Sequence, residues 1–347
     1  MRFFKALAAI VALNVASSTW SQTQRSVEPP RDASGHPSSG AATDVVNLLR
    51  FEPTGLSLLG PYQRGKIPVV FVHGLWANPC SWSRMIEHLE ADAALRDHYQ
   101  FWTFGYSTGD PIPYSASLFR HDLDEVRRKF DPGATDAAFD RMVLVGHSMG
   151  GLLTKMMVQD SGTRLWQLIS NRPFEQLVGE PHDREIFRTA LVFKARPEVR
   201  RVVFIATPHR GSRLDQGGLG HLGSRLVRLP DPLRTSHDRL MERNGSDFFT
   251  ERFRKGLPTS IDELEWQSPI LMRLDQLGFA PKVTAHSIIA DNRNPPGPGG
   301  SDGLVPYESA HLDGVASESL VSSGHLCQDH PAVISEVRRV LAEHAAH

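Results

Sequence analysis

Only two cysteines occur in the 347 residues, which excludes a disulfide-dense scaffold and a multi-cysteine zinc site. Neither sign of charge dominates. Thirty-eight Lys and Arg stand against 39 Asp and Glu, a formal net charge of −1, so nothing favours nucleic acid or an anionic membrane surface as a partner. Sixteen histidines is a high count, yet no His-Glu-x-x-His pair occurs, and no metal or cofactor is expected. A P-loop, a dinucleotide fingerprint in a strand–helix setting and internal repeats are also missing. The apolar run from Ala6 to Ala16 is too short to span as an ordinary membrane helix.

What is present suits a globular protein. Hydrophobic residues make up 40%, and the length accommodates one large α/β domain with an inserted subdomain. Arg2 and Lys5, the apolar run and the small residues Ala16-Ser17-Ser18 read as a secretory signal peptide over residues 1–21, hence a secreted or periplasmic protein. An uncleaved anchor or a buried first helix is the alternative. Residues 22–43, with Pro29-Pro30 and Ser38-Ser39, lack apolar periodicity and read as a disordered linker. The folded domain is expected over residues 44–347.

The stretch that organises this domain is Gly146-His147-Ser148-Met149-Gly150-Gly151. The apolar, β-forming run Met142 to Val145 precedes it. Leu152, Leu153, Met156 and Met157 follow at helical spacing. The segment therefore reads strand, sharp turn, helix, with Ser148 on the turn. Gly146 and Gly150 allow close approach of strand and helix, and the helix N-terminus behind Ser148 favours negative charge. A turn whose serine is an ordinary cap is the bland alternative. Ahead of this stretch, Ile67 to Val72 and Tyr99 to Phe104 read as strands, and Ser81 to Leu95 and Ala116 to Phe130 as amphipathic helices. After it, Arg201 to Ala206, Val283 to Ala290 and Glu318 to Val321 read as strands, and an amphipathic helix begins at Pro331. This order predicts a doubly wound, mostly parallel α/β sheet.

The hexapeptide resembles the nucleophile elbow of the α/β-hydrolase superfamily, in the form common among bacterial lipases and esterases. The resemblance runs through separate motifs from about Ile67 to the end. It implies an α/β-hydrolase fold with Ser148 as nucleophile. His73-Gly74-Leu75 resembles the oxyanion loop, so the Leu75 and Met149 N–H groups would bind the oxyanion. Trp76 and Trp82 would line the acyl pocket or pack in the core. Asp302, in Asp302-Gly303-Leu304-Val305-Pro306, matches the turn that carries the acid, with Asp291 as rival. His325 lies between the last strand and the last helix, where the family places its base; His330 is read as structural and His209 as a structural or pocket-rim residue.

From Arg213 to about Pro281 no strand is expected. Ser260-Ile261-Asp262-Glu263 reads as a capping box and Ser268-Pro269 as a helix start. A helical cap over residues 213–281 is the expectation, with plain helical packing on the sheet as the alternative and the segment 161–200 as a further contributor. Cys80 and Cys327 fall on loops that this fold brings to one sheet edge; an exported chain would let them bridge, and two separate thiols are the other reading. The activity implied is hydrolysis of carboxylic esters through an acyl-enzyme, with an ester or lipid substrate and transient contact with a lipid surface. Acyl transfer, amide hydrolysis and phospholipid hydrolysis share the same machinery. A fold that only binds an apolar ligand is the non-enzymatic alternative.

Overall fold

A computed structural model of the chain describes residues 54–212, 229–245 and 247–346. The leader expected over 1–21, the linker over 22–43 and the first part of the expected cap, 213–228, lie outside the described residues. Seven strands form one sheet: β1 (Gly55–Leu58), β2 (Ile67–Val72), β3 (Tyr99–Gly105), β4 (Met142–His147), β5 (Val199–Ile205), β6 (Thr284–Asp291) and β7 (Ser317–Ser322). Their spatial order is β1-β3-β2-β4-β5-β6-β7. β1 is antiparallel to β3 and every other pairing is parallel. This is the mostly parallel, doubly wound sheet that the order of runs predicts. β1 alone was not legible, because a four-residue edge strand carries too little pattern.

The helices are α1 (Ser83–Ala91), α2 (Ala93–His98), α3 (Ile112–Phe130), α4 (Met149–Met156), α5 (Pro181–Leu191), α6 (Asp231–Arg243), α7 (Glu251–Arg254), α8 (Ser260–Glu263), α9 (Pro269–Asp275), α10 (Tyr307–Ala310) and α11 (Pro331–Ala345). Strand side chains alternate between two buried layers. Val70, Val72, Leu144 and Phe204 pack with α3, α4 and α5 on one face. Val69, Phe71, Val145 and Val203 pack with α1, α2 and α11 on the other. Both faces are covered, which is why these strands read as continuous apolar runs rather than alternating ones. Trp82 is wholly buried against Phe71, so it belongs to the core and not to a pocket.

Three local differences from the sequence reading have physical causes. The helix expected over Ser81 to Leu95 is two helices, because Asp92 leaves the helical region and accepts the Ala94 N–H at 3.0 Å as the cap of α2. α3 begins at Ile112, four residues before the expected Ala116, since Pro113 fits the first turn, where a missing N–H is harmless. The capping box sits one residue earlier than expected. Thr259 is the cap and Asp262 its partner, with Thr259 N–H donating to Asp262 Oδ2 at 2.8 Å. Glu263 is thereby released, and its Oε2 accepts the Ile112 N–H at 2.6 Å, capping α3 from another helix.

Helices α6 to α9 lie between β5 and β6 in sequence. They are joined to the segment after α4: Thr250 N–H donates to Ile169 O at 2.8 Å, and Asp183 of α5 accepts from Ser236 and Arg239 of α6. Arg210, just after β5, holds α9 through Asp275 and reaches the Glu308 and His311 carbonyls. The cysteine bridge is not formed: both thiols are free, Cys80 exposed on the turn Pro79–Trp82 and Cys327 buried under α11. Among the described residues no helix is long and apolar enough to cross a membrane.

The tightest constraint lies where α4 crosses the end of β2. A Cβ on Gly150 would overlap the carbonyl oxygens of Val72 and His73, both backbone atoms that cannot yield. Gly150→Ala is therefore expected to lower the unfolding free energy by about 3 kcal/mol, the upper end for overpacking. Gly60→Ala, with open space around it, should stay within about 0.5 kcal/mol of the parent. Equal denaturation midpoints for the two variants would refute this account.

Candidate active site

Parallel strands deliver their loops to one edge of the sheet, and the loops after β2, β4, β6 and β7 meet there. Ser148 occupies the turn between β4 and α4 with φ 53° and ψ −126°, a left-handed-side conformation that non-glycine residues rarely adopt. Its N–H is tied to Ile205 O at 2.9 Å, so the strand next door holds the strained turn. A Cβ on Gly74 would come within 2.9 Å of Ser148 Cβ, so the loop after β2 lies directly against the serine.

Ser148 Oγ is 2.8 Å from His325 Nε2, and His325 Nδ1 is 2.7 Å from Asp302 Oδ2. A carboxylate only accepts, so Nδ1 carries the proton and Nε2 is free to accept from the serine hydroxyl. The other oxygen of Asp302 takes the Leu304 and Val305 N–H groups at 2.8 and 2.7 Å. The tight turn around Gly303, at φ 99°, thus aims one oxygen at the imidazole and satisfies the other.

The rival residues stand elsewhere. Asp291 ends β6 and binds its own loop: it accepts from the Arg293 side chain at 2.8–3.1 Å and from the Arg293 and Gly297 N–H groups at 3.0 and 2.9 Å. The Arg293 guanidinium holds its carboxyl well below the usual range. It therefore shapes the loop that brings Asp302 into place. His330 caps α11 by accepting the Ala332 N–H at 3.2 Å. His209 is fully buried, edge-on to Phe204, and neither ring nitrogen has a partner among the described residues. It is a buried group and not a rim residue.

Met149 follows the serine in the chain, and Leu75 follows Gly74, which lies against it. Met149 is the first residue of α4, so its N–H has no partner within the helix. The Leu75 N–H is oriented by its neighbour. His73 Nδ1 donates to Gly74 O at 3.0 Å, and Ala77 N–H donates to the same oxygen at 3.2 Å. In a trans peptide the N–H points opposite to the carbonyl, so fixing Gly74 O turns the Leu75 N–H away from His73. Tyr106 stacks on His73 at 4.5 Å and donates its hydroxyl to His73 O at 2.8 Å. Burial pushes the His73 imidazole down to about 4, so the ring is neutral.

His147 is a contact that the sequence does not signal. Its Nε2 donates to His325 O at 2.8 Å, and Cys327 N–H donates to the same carbonyl at 2.9 Å. The residue before the serine thereby holds the backbone of the histidine that faces the serine. Burial pushes His147 down to about 3, with the neighbouring His325 adding to the effect.

Two expectations follow. His325→Ala should cost several orders of magnitude in turnover, whereas His330→Ala should cost about 1 kcal/mol of stability and leave turnover nearly unchanged. Steady-state kinetics and melting of both variants decide; an inactive His330→Ala beside an active His325→Ala reverses the assignment. The second concerns pH. His73 and His147 have folded values of about 4 and 3, below the ordinary 6.5. Below pH 6.5 the unfolded chain binds protons that the folded chain refuses, so stability falls as pH drops toward 4. Each group contributes at most about 1.4 kcal/mol per pH unit. Urea unfolding at pH 7.5, 6.5, 5.5 and 4.5 should show this decline; a flat profile contradicts it.

A sequence model of the Alpha/beta hydrolase family matches residues 69–337. No curated protein matches the chain. Among solved structures it is similar to the mature lipase BlEst2 of Bacillus licheniformis, at 16% identity over 84% of this chain and 99% of that one, with a TM-score of 0.48. It is similar also to the phospholipase PlaB of Legionella pneumophila, at 16% identity over 80% and 59% of the two chains, TM-score 0.46. A third is the metagenomic carboxyl esterase MGS0156, at 16% identity over 92% and 85%, TM-score 0.42.

Proposed function

The chain belongs to the Alpha/beta hydrolase family, and we propose on that premise that it is a serine hydrolase acting on carboxylic esters. The observation that carries this reading is the continuous relay of 2.8 and 2.7 Å contacts from Ser148 through His325 to Asp302. Ser148 Oγ attacks the ester carbonyl carbon while His325 Nε2 takes its proton. Asp302 stabilises the imidazolium through Nδ1. The tetrahedral oxyanion forms beside Leu75 and Met149, whose N–H groups are worth about 3 to 4 kcal/mol of barrier each. Collapse breaks the ester C–O bond, and His325 returns the proton to the leaving alkoxide. Water, activated by the same imidazole, then releases the acid and restores Ser148. The apolar surroundings of Leu75, which packs on the larger core cluster, support a lipase- or esterase-like substrate.

Ser148→Ala should lower ester turnover by about 10⁴- to 10⁶-fold and leave the melting curve close to the parent, because glycines and the Ile205 contact set the turn. A fluorophosphonate should label Ser148 and no other residue. Undiminished hydrolysis by the Ala variant, or labelling elsewhere, would refute the assignment.

A further inference from the structure

Beneath the helices between β5 and β6 lies a cavity of about 110 Å³. At roughly 10–15 Å³ for each water-sized group, it has room for a chain of several atoms. Its wall is nearly all apolar and includes Pro113, Tyr114, Phe187, Ala190, Leu233 and Phe253. None of Ser148, Asp302, His325, Leu75 or Met149 lines it. The exposed Arg252 and the half-buried Gly256 and Leu257 stand at its edge.

One buried ionisable group lines this cavity. Glu263 is 4% exposed. Its Oε2 caps α3 through the Ile112 N–H at 2.6 Å, and its carboxyl forms part of the cavity wall. A carboxyl in an otherwise apolar cavity wall is costly unless polar groups pair with it, which favours a ligand that brings one. Burial pushes the Glu263 carboxyl up to about 8; the Ile112 N–H and the Arg252 charge pull the other way and Asp262 adds to the rise. Both protonation states are therefore accessible near neutral pH. A neutral carboxyl donates and an ionised one accepts. A hydroxyl does both, so it pairs with Glu263 in either state, whereas a carbonyl or ether oxygen serves only the neutral acid and an ammonium only the anion.

We propose that this cavity is a second ligand site, taking an aliphatic chain that carries a hydroxyl group, with the hydroxyl on the Glu263 carboxyl and the chain on the apolar wall. The site goes beyond the hydrolytic reading and is independent of it. α8 nonetheless links the two regions: Ser260 Oγ donates to Thr108 O at 2.5 Å, and Trp76 N–H donates to Thr108 Oγ1 at 3.3 Å, one residue from Leu75. Glu263 is thus a specificity residue for the hydroxyl, held by the helix cap it provides.

The test is calorimetric titration of the full wild-type chain with 1-octanol and with heptyl methyl ether, which has the same number of heavy atoms and no donor. The alcohol should bind about tenfold more tightly at pH 9.5, where the ionised carboxyl can only accept, and the preference should narrow at pH 6, where the neutral acid can also donate to the ether. In Glu263→Met the preference should fall to about one, and in Ala190→Leu both ligands should lose tenfold or more. The pH comparison needs no variant and stands even if Glu263→Met fails to fold. Equal binding of alcohol and ether by the wild type at pH 9.5, no binding of either, or full affinity in a folded Ala190→Leu protein would overturn the site. In an ester assay, competitive inhibition by 1-octanol assigns the chain to the alkoxy half of a substrate, and no inhibition assigns it to free alcohol; the site stands in both. Because binding is read without turnover, its failure is distinguishable from failure of the hydrolase reading.

Discussion

The crossing of α4 over the end of β2 is the contact on which the rest depends. Gly150 sits under the Val72 and His73 carbonyls, and Gly146 lies so close to Gly150 and Gly151 that no side chain fits. This closeness forces the abrupt reversal at Ser148 and its positive φ. A strained serine on a flexible turn would relax into an ordinary conformation. Here the glycines, the Ile205 carbonyl and two buried layers of side chains leave it no room. Local strain is maintained by dense packing on both sides of the sheet.

The same crowding orients the groups around the serine. His73 cannot leave its slot between Gly74 and Tyr106, and a fixed His73 fixes the Gly74–Leu75 peptide. His147 follows from the elbow itself, since the residue before Ser148 must point to the opposite side of the strand. That side holds the loop of His325, whose carbonyl it binds. Neutral, buried imidazoles thus act as rigid hydrogen-bonding struts, and burial keeps them neutral. The histidine facing Ser148 differs in having a carboxylate on its far nitrogen.

Among the helices between β5 and β6 the governing constraint is helix ends that must find partners. α3 begins with a proline at its cap and another in its first turn, neither of which supplies a capping side chain. Its first free N–H is satisfied by Glu263, far away in sequence. A shift of one residue in the α8 capping box makes this available: Thr259 and Asp262 serve α8, and Glu263 is left to serve α3. Arg210 plays a comparable part between α9 and the segment after Asp302, joining Asp275 to two carbonyls.

Much of the architecture was legible because it rests on local rules. Runs such as Ile67 to Val72 and Arg201 to Ala206 must be strands buried on both faces. The glycines around Ser148 announce a sharp turn, and Asp302 and His325 stand on loops that follow strands. These features depend on side-chain period and backbone sterics, which a chain carries wherever it folds. The helix boundaries at Asp92 and Ile112, the edge strand Gly55–Leu58 and the capping pair Thr259–Asp262 were misread or missed. At the helix starts and the capping box two neighbouring positions were competent, and the edge strand is too short to carry a pattern. Tertiary structure alone decided that Asp302 and not Asp291 faces His325, that Cys80 is exposed while Cys327 is buried, and that Glu263 meets Ile112. The reason is separation along the chain. Ser148 and His325 are 177 positions apart and Glu263 and Ile112 are 151 apart, so their partners are set by how the sheet twists and how its loops pack, which no local pattern encodes.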